Sequence, residues 1–334
     1  MTRTRITLED VARAAGVSVA TVDRVVNQRG GVATDKEAAI LREARRLGLD
    51  RKLAIRPTAI KRIGVLIQPP SNPFHAQLRE GIEQARAIYR DQNLLLQIEH
   101  IDPTRPHMIA AQIVRMGAWA DGLILTVPAS PDIFDAIQSL PERVPVVTMA
   151  DDVPGCRRAA FIGPDDEKSG RVAGDLMGTL IGREGGEVLV LIGRYDMPGH
   201  SARAEGFAQV LAERHPTVRV MQVIETHEDK AAAATLALQA LRKNARLRGV
   251  YLCSTGSAEI TAVLPHTEIA VITHELTATR RALLKARKLQ AVIDQKPILE
   301  ARLAVETIAH LIGRLEGQAG SIATDIQIFM PESV

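Results

Sequence analysis

TLEDVARAAGVSVATVDRVVN, residues 7–27, decides how the rest of the chain is read. In its first half Leu8, Val11, Ala12 and Ala15 recur at i, i+3, i+4 and i+7, one face of a helix. Thr7 with Asp10 three residues later is a variant of the capping box, and Gly16 sits where a helix stops in the left-handed conformation. Val17 then packs inward, and Ser18 caps a second helix whose inner stripe is Val22, Val25 and Val26. A third helix begins near Asp35, with Ile40, Ala44 and Leu47 inward. The outer face of the second helix carries Ala20, Thr21, Asp23, Arg24 and Asn27, where a solvated face would carry Glu and Lys in quantity. Small, hydrogen-bonding groups in that position suit the close approach of a partner.

Charge says what kind of partner. Residues 1–62 hold 14 Lys and Arg against 7 Asp and Glu, leaving 28 basic and 32 acidic residues for the other 272. A basic head on a mildly acidic body fits a polyanion-binding module joined to something else. Helix, short glycine turn and helix in a basic surround is the helix-turn-helix plan, which lays its second helix in the major groove of double-stranded DNA. Val19 and Ala20 are small enough to meet a thymine methyl, and Arg24 can donate two bonds to guanine O6 and N7. Ser18, Thr21 and Asn27 suit phosphate oxygens, which position a helix without reading sequence.

The same residues resemble the DNA-binding headpiece of the lactose-repressor/galactose-repressor (LacI/GalR) family, whose signature T-x-x-D-V-A-x-x-A-G-V-S-x-x-T-V-S-R-x-x-N is matched at nearly every fixed position. The resemblance implies a homodimer on a near-palindromic operator, with Val19, Ala20 and Arg24 reading bases. The expected DNA-facing set is Thr7, Ser18, Val19, Ala20, Thr21, Asp23, Arg24 and Asn27, joined by Arg51 and Lys52. Two departures stand out. Asp23 replaces a serine; it either accepts from cytosine N4 or holds Arg24 in position, and the second reading is preferred. Residues 49–62, LDRKLAIRPTAIKR, lack the family's Y-x-P-x-x-x-A-R-x-L hinge helix. Either Leu53 or Ile55 is a minor-groove wedge, or Arg51, Lys52, Arg56, Lys61 and Arg62 contact phosphates.

From Arg62 onward apolar strands such as RIGVLIQ, LLLQIEHI, DGLILTVP and PVVTMA alternate with amphipathic helices. The plan then repeats through AAFIGP, EVLVLIGR, VRVMQVIET, GVYLCST, EIAVITHE and AVIDQ. Alternation of this kind means parallel sheets covered by helices, with ligands meeting the carboxyl ends of the strands. Order and spacing resemble the periplasmic sugar-binding fold. The expected architecture is therefore an N-terminal all-α helix-turn-helix headpiece (1–48), a linker (49–61), and a two-lobed α/β, periplasmic-binding-protein-like (type I) core (62–334). By that resemblance one lobe takes 62–163 with 296–319 and the other 164–293 with 320–334, joined by three crossovers.

Candidate ligand-binding residues sit in the strand-end loops. By resemblance, Asn72 and Phe74 in QPPSNPFH match a polar-then-aromatic pair that bonds and stacks on a sugar, Arg203 matches an arginine that grips ring hydroxyls, and Gln295 matches a hinge glutamine. Ser254, Thr255 and Gly256 stand where an asparagine or aspartate is expected, and His274 with Glu275 replaces a phenylalanine–aspartate pair. Glu275 can accept two hydroxyls; His274 reads as a satisfied cleft residue. Asp151, Asp152, Asp165 and Asp166 are ligand acceptors or helix caps, with Asp151 placed among the ligand residues and Asp166 read as a cap. The expected effector is a small sugar or polyol.

Rival functions lack their signatures. The first strand–helix turn has no glycine for a dinucleotide, and no P-loop, G-x-S-x-G, HExxH or cysteine–histidine metal spacing appears, so neither enzyme, cofactor nor metal is expected. Cys156 and Cys253 read as reduced thiols. Without a signal-like apolar stretch or an apolar run of membrane length, the expected location is the cytoplasm and no membrane partner is expected. A transport component would have no use for the head, and a nucleoid protein none for the cleft. The combined expectation is a transcriptional regulator, by family default a repressor of carbohydrate uptake or catabolism genes.

Overall fold

A computed structural model describes residues 6–27, 29–49, 59–265 and 268–334. The headpiece is three helices, α1 (Leu8–Ala15), α2 (Val19–Val26) and α3 (Thr34–Leu47). The Thr7–Asp10 capping box forms from both sides, and Gly16 ends α1 at φ 64°. Ser18 Oγ accepts the Thr21 N–H and starts α2. Val11, Val22, Val25, Ile40 and Ala44 close a separate small core.

The body contains two sheets of one plan. The first comprises β1 (Lys61–Ile67), β2 (Leu94–His100), β3 (Gly122–Leu125), β4 (Val146–Met149), β5 (Ala160–Pro164) and β11 (Ile322–Thr324), in the order β11-β5-β4-β3-β1-β2. The second comprises β6 (Gly186–Ile192), β7 (Val218–Glu225), β8 (Leu247–Leu252), β9 (Ala270–His274), β10 (Ala291–Asp294) and β12 (Gln327–Phe329), in the order β12-β10-β9-β8-β6-β7. Every pairing is parallel except β12 on β10. Helices lie on both faces, so the central strands are apolar in unbroken runs; β3 and β4 are buried at every residue. Helices α4 (Pro73–Ile88), α5 (Pro106–Trp119), α6 (Pro131–Gln138) and α12 (Pro297–Leu311) pack on the first sheet. Helices α7 (Asp166–Ile181), α8 (Pro198–Arg214), α9 (Lys230–Lys243), α10 (Ser257–Val263) and α11 (Ala278–Lys285) pack on the second.

The two lobes share a sequence element at the start of the helix that follows the first strand of each, α4 after β1 and α8 after β6. Pro73-Phe74-His75 leads to Glu80-Gly81, and Pro198-Gly199-His200 leads to Glu205-Gly206, both P-x-H-x-x-x-x-E-G. The glycines let helices touch by backbone. A Cβ at Gly81 would stand 2.4 Å from the Ile298 carbonyl of α12, and one at Gly206 would stand 2.2 Å from the Glu167 carbonyl of α7.

The chain crosses between sheets at β5–α7, at β10–α12 and after β11. The last crossing differs from expectation. Residues 320–334 do not all belong with the second lobe: Ile322–Thr324 run parallel to β5 and satisfy its open edge, so only the segment beyond Thr324 reaches β10. Lys61 and Arg62, candidates for phosphate contact, begin β1, where Asp121 receives Lys61 Nζ at 2.8 Å and the Arg62 N–H at 2.9 Å. Arg51, Lys52, Leu53, Ile55 and Arg56 lie outside the described residues. At the base of the first lobe Arg314 donates to the Ala59 carbonyl at 2.5 Å.

Candidate functional site

The first candidate surface is the outer face of α2. Val19, Ala20 and Arg24 are exposed, as are Thr7 and Ser18 at the two caps, with Thr21 half-buried. Asp23 does not hold Arg24. Its carboxylate accepts from Asn27 Nδ2 at 2.6 Å and Arg29 Nη1 at 2.9 Å. The reason is helical geometry: i and i+4 share a face, whereas consecutive residues diverge. Asn27 thus spends an amide hydrogen on Asp23, and Arg24 is left to point outward by itself.

The second candidate is a cavity of about 260 Å³ between the lobes. Asn72, Phe74, Asp151, Arg203, Ser254, Glu275 and Gln295 all line it. Strand-end backbone geometry delivers several of them. Ala150 follows β4 at φ 64° and Glu275 follows β9 at φ 64°, both non-glycine residues in the left-handed region. Their N–H groups each donate at 2.8 Å to a neighbouring strand, Ala150 to Ile162 and Glu275 to Ile293. β4 and β9 are equivalent strands, so one local distortion is used twice to turn the chain into the cleft.

Arg203 on α8 is buried, donating from Nε to Asp166 at 2.7 Å and from Nη2 to Gln295 at 2.6 Å. Burial opposes its charge, but Asp166 and then Glu275 outweigh it and hold the guanidinium above its ordinary pKa. Asp166 is therefore an ion-pair partner and not a cap; the cap of α7 is its neighbour Asp165, which accepts the Lys168 N–H at 2.9 Å. Burial lifts the Asp166 carboxyl above the usual range even against Arg203. Asp152 is also accounted for locally, forked by Arg158 at 2.6 and 2.7 Å.

Asp151 and Glu275 face the cavity without such partners. Loss of hydration, then the charge of Asp166, push Asp151 up to about 7. Burial, then Asp294, push Glu275 up to about 8, and its Oε2 is buried with no hydrogen-bond partner. Asn72 is committed in part: its Oδ1 caps α4 by accepting the Phe74 N–H at 3.1 Å. Phe74 sits edge-on to His75, ring centres 5.3 Å apart.

Several lining residues escaped the sequence reading. Buried Arg280 donates to the Ser254 carbonyl at 2.6 Å, the Glu275 carbonyl at 3.2 Å and Ser257 Oγ at 3.2 Å, fixing both strand-end loops. Glu228 sits beside Ser254 and Thr255, its carboxyl raised by burial. His75 and His200, the histidines of the repeated element, accept the Gln68 N–H at 3.2 Å and the Arg194 N–H at 3.1 Å through Nδ1. Each neutral ring therefore carries its hydrogen on Nε2. Burial lowers both to about 3, so they hold no charge near neutrality. His274 bonds the Tyr251 hydroxyl at 2.6 Å, and burial holds it well below its ordinary value too. The P-x-H element was the available signal for His75 and His200; Arg280 had none.

The lobes meet across the cavity. The Ala129 N–H donates to the Asp196 carbonyl at 3.1 Å, and Gln77 Nε2 to the Leu276 carbonyl at 3.4 Å. Among the described residues no group of three or more His, Cys, Asp or Glu is placed to hold a metal ion, and no helix is long and apolar enough to cross a membrane.

A helix-turn-helix head on a two-lobed body with a polar interlobe cavity defines a class: a DNA-binding module joined to a small-molecule-binding module. Residues 7–48 match the family described as bacterial regulatory proteins, lacI family, and residues 63–317 match the periplasmic binding protein domain. The chain belongs to the lacI family of bacterial regulatory proteins, with a periplasmic binding protein domain as its body. It is 28% identical over 225 residues to catabolite control protein A of Priestia megaterium, a stretch covering 66% of this chain and 65% of that one. It is 34% identical over 129 residues to the ribose operon repressor of Halalkalibacterium halodurans, covering 37% and 38%. Among solved structures, the glucose-galactose binding protein GanP of Geobacillus stearothermophilus superimposes at TM-score 0.74 with 17% identity, covering 83% of this chain and 99% of that one. A putative LacI transcriptional regulator of Bacteroides fragilis gives 0.70 with 18% identity, covering 82% and 98%. At these identities the structural likeness concerns the fold.

Proposed function

We propose that the chain is a sequence-specific transcriptional repressor of carbohydrate uptake or catabolism genes. It acts as a homodimer on a near-palindromic operator, and a small polyhydroxylated effector in the interlobe cavity controls its affinity for DNA. The observation that carries this reading is the joining, in one chain, of an exposed α2 face bearing Val19, Ala20 and Arg24 to a cavity lined by Asp151, Arg203, Glu275 and Gln295. The relatives' names support the regulatory role and its carbohydrate context. Neither half has a use for the other unless the two are coupled.

Coupling follows from linkage. Effector and operator each favour one arrangement of the lobes and heads, so each changes the other's affinity by the same factor. Asp151, Arg203, Glu275 and Gln295 hold the effector; Ser254, Asn72 and Phe74 shape the cavity around it. On the DNA, Arg24 reads guanine, Val19 and Ala20 meet methyl groups, and Ser18, Thr21, Arg51 and Lys52 position the head on phosphates. The test is selection of a bound sequence from random duplexes by the purified chain, then anisotropy titration of that duplex with and without candidate effectors. A selected palindrome released by a small polyhydroxylated compound is the expected result. Binding that is indifferent to sequence removes the regulatory reading; binding that is indifferent to every small molecule removes the effector role.

A further inference from the structure

The chemistry of the cavity wall narrows the effector class. Four carboxyl side chains line it, Asp151, Glu228, Glu259 and Glu275, with four basic ones, Arg194, Lys230, Arg203 and Arg280. The count is even, but the hydrogen-bonding capacity is not. Arg194 forks onto Asp196. Arg280 spends Nε, Nη1 and Nη2 on Ser257 Oγ and on two carbonyls. Arg203 spends Nε and Nη2 on Asp166 and Gln295. The guanidinium donors are thus largely turned toward the protein.

One acceptor is in the opposite condition. Glu275 is 6% exposed, lines the cavity, and leaves Oε2 without a partner. A buried acceptor left unmatched is costly, and a carboxylate more so, which is why Glu275 keeps a proton that an arriving cation would displace. Behind the wall stand two further carboxyls, Asp166 beside Asp151 and Asp294 beside Glu275, each opposing the ionisation of its neighbour. The three cavity histidines stay neutral and offset nothing. With Arg194 matched by Asp196, three cations, Lys230, Arg203 and Arg280, therefore face six carboxyls in and behind the wall, Asp151, Asp166, Glu228, Glu259, Glu275 and Asp294. Hydroxyl groups would supply the missing donors but no charge. An ammonium supplies three donors and the charge together.

We infer that the cleft binds a small polyhydroxylated primary amine, of the amino-sugar or amino-polyol class, with its ammonium on the Glu275 carboxylate and its hydroxyls on Asp151, Arg203 and Gln295. The inference rests on the proposed effector role of the cleft and names its ligand class. The cavity, about 260 Å³, sits just below the usual ~300–1,000 Å³ range of ligand pockets and suits a single monosaccharide-sized molecule.

The experiment is calorimetric titration of the full chain at pH 7.5 with D-glucosamine, D-galactosamine and D-mannosamine. Glucose, galactose, mannose and N-acetylglucosamine serve as uncharged counterparts. A charge-assisted bond to a buried carboxylate contributes on the order of tenfold or more in affinity. One of the amines should accordingly bind at least about tenfold more tightly than its parent sugar, and acetylation should remove the gain. Glu275→Gln should abolish the amine preference, so that amine and parent sugar bind with equal affinity whatever the loss common to both; the wild-type ratio stands by itself if that variant does not fold. A parent sugar that binds as tightly as its amine, or a preference unchanged in Glu275→Gln, overturns the inference. Neutral sugars binding alone would overturn it and leave the effector role standing. Binding by neither class would overturn both.

Discussion

Replacing Arg203 by methionine tests whether the α7–α8 pair and the second crossover depend on one guanidinium. Arg203 is 6% exposed, donating to Asp166 at 2.7 Å and to Gln295 at 2.6 Å. Methionine preserves most of the aliphatic stem, so little cavity forms and the loss is mainly electrostatic. Removing one partner of a buried pair costs about 3–5 kcal/mol, because the other is left uncompensated. Asp166 can reduce that cost by taking a proton, since burial already lifts its carboxyl. The expected deficit is therefore near the lower end, about 3 kcal/mol. Without Arg203 the folded-state pKa of Asp166 rises further above its unfolded value, so the folded chain keeps a proton that the unfolded chain releases. Stability is then lost as pH rises from about 4 toward the folded pKa, and the deficit against wild type should be larger at pH 8 than at pH 5. Urea unfolding followed by far-UV circular dichroism reads both effects. The double variant with Asp166→Asn should cost much less than the two single changes added, a coupling of about 2 kcal/mol. Additive single changes, or a deficit below about 1 kcal/mol at both pH values, would refute the assignment of a buried, mutually dependent pair.

Other changes separate the head from the cleft. Arg24→Ala should flatten discrimination among operator variants by about 1–3 kcal/mol at one base pair while calorimetric binding in the cleft stays unchanged. Asp23→Ala removes the acceptor for Asn27 and Arg29 and frees both toward phosphate. The salt dependence of DNA binding should steepen by about one unit of slope per new phosphate contact, read by anisotropy at several salt concentrations. Gly170→Ala places a Cβ 2.0 Å from the Arg203 carbonyl, so α7 and α8 must separate; a loss of about 1–3 kcal/mol is expected in urea. Asp151, pushed up to about 7, and Glu275, pushed up to about 8, hold protons in the folded chain that the unfolded chain has released. The urea midpoint should therefore be higher at pH 6 than at pH 8.5, and Asp151→Asn with Glu275→Gln should shrink that difference.

What the sequence made legible, and what it hid, follows the range of the interactions. The headpiece could be read because its determinants are local: a cap and its partner three residues apart, a left-handed glycine, and stripes of period 3.6. The body strands could be read because sheets buried on both faces demand unbroken apolar runs. Helix α12 went unread for the converse reason. Pro297, Glu300, Ala301, Ala304, Val305, Thr307, Ile308 and Ala309 are all buried, so the helix has no broad polar face to betray its period. β11 and β12 are three residues each, too short for any period, which is why the third crossing was put too early.

In the cleft, the seven chosen residues, four of them taken from the family resemblance, all line one cavity, yet their duties were not all foreseeable. Asp165 and Asp166 are adjacent, and a shift of one residue exchanges a cap for an ion-pair partner 37 positions away in sequence from Arg203. Arg280 bonds mainly to backbone carbonyls, which every sequence offers equally. Asp23, by contrast, was misread against a rule already in hand, since Asn27 at i+4 was its natural neighbour and Arg24 was not. That correction bears on function. A carboxylate gathering Asn27 and Arg29 draws two donors away from phosphate and leaves Arg24 unpaired on the exposed face. Loss of non-specific phosphate contacts lowers background affinity equally for all sequences, while a free guanidinium keeps its whole fork for a base edge. With Arg24 as the proposed base reader, the substitution that looks unfavourable near DNA would shift the headpiece from affinity toward discrimination.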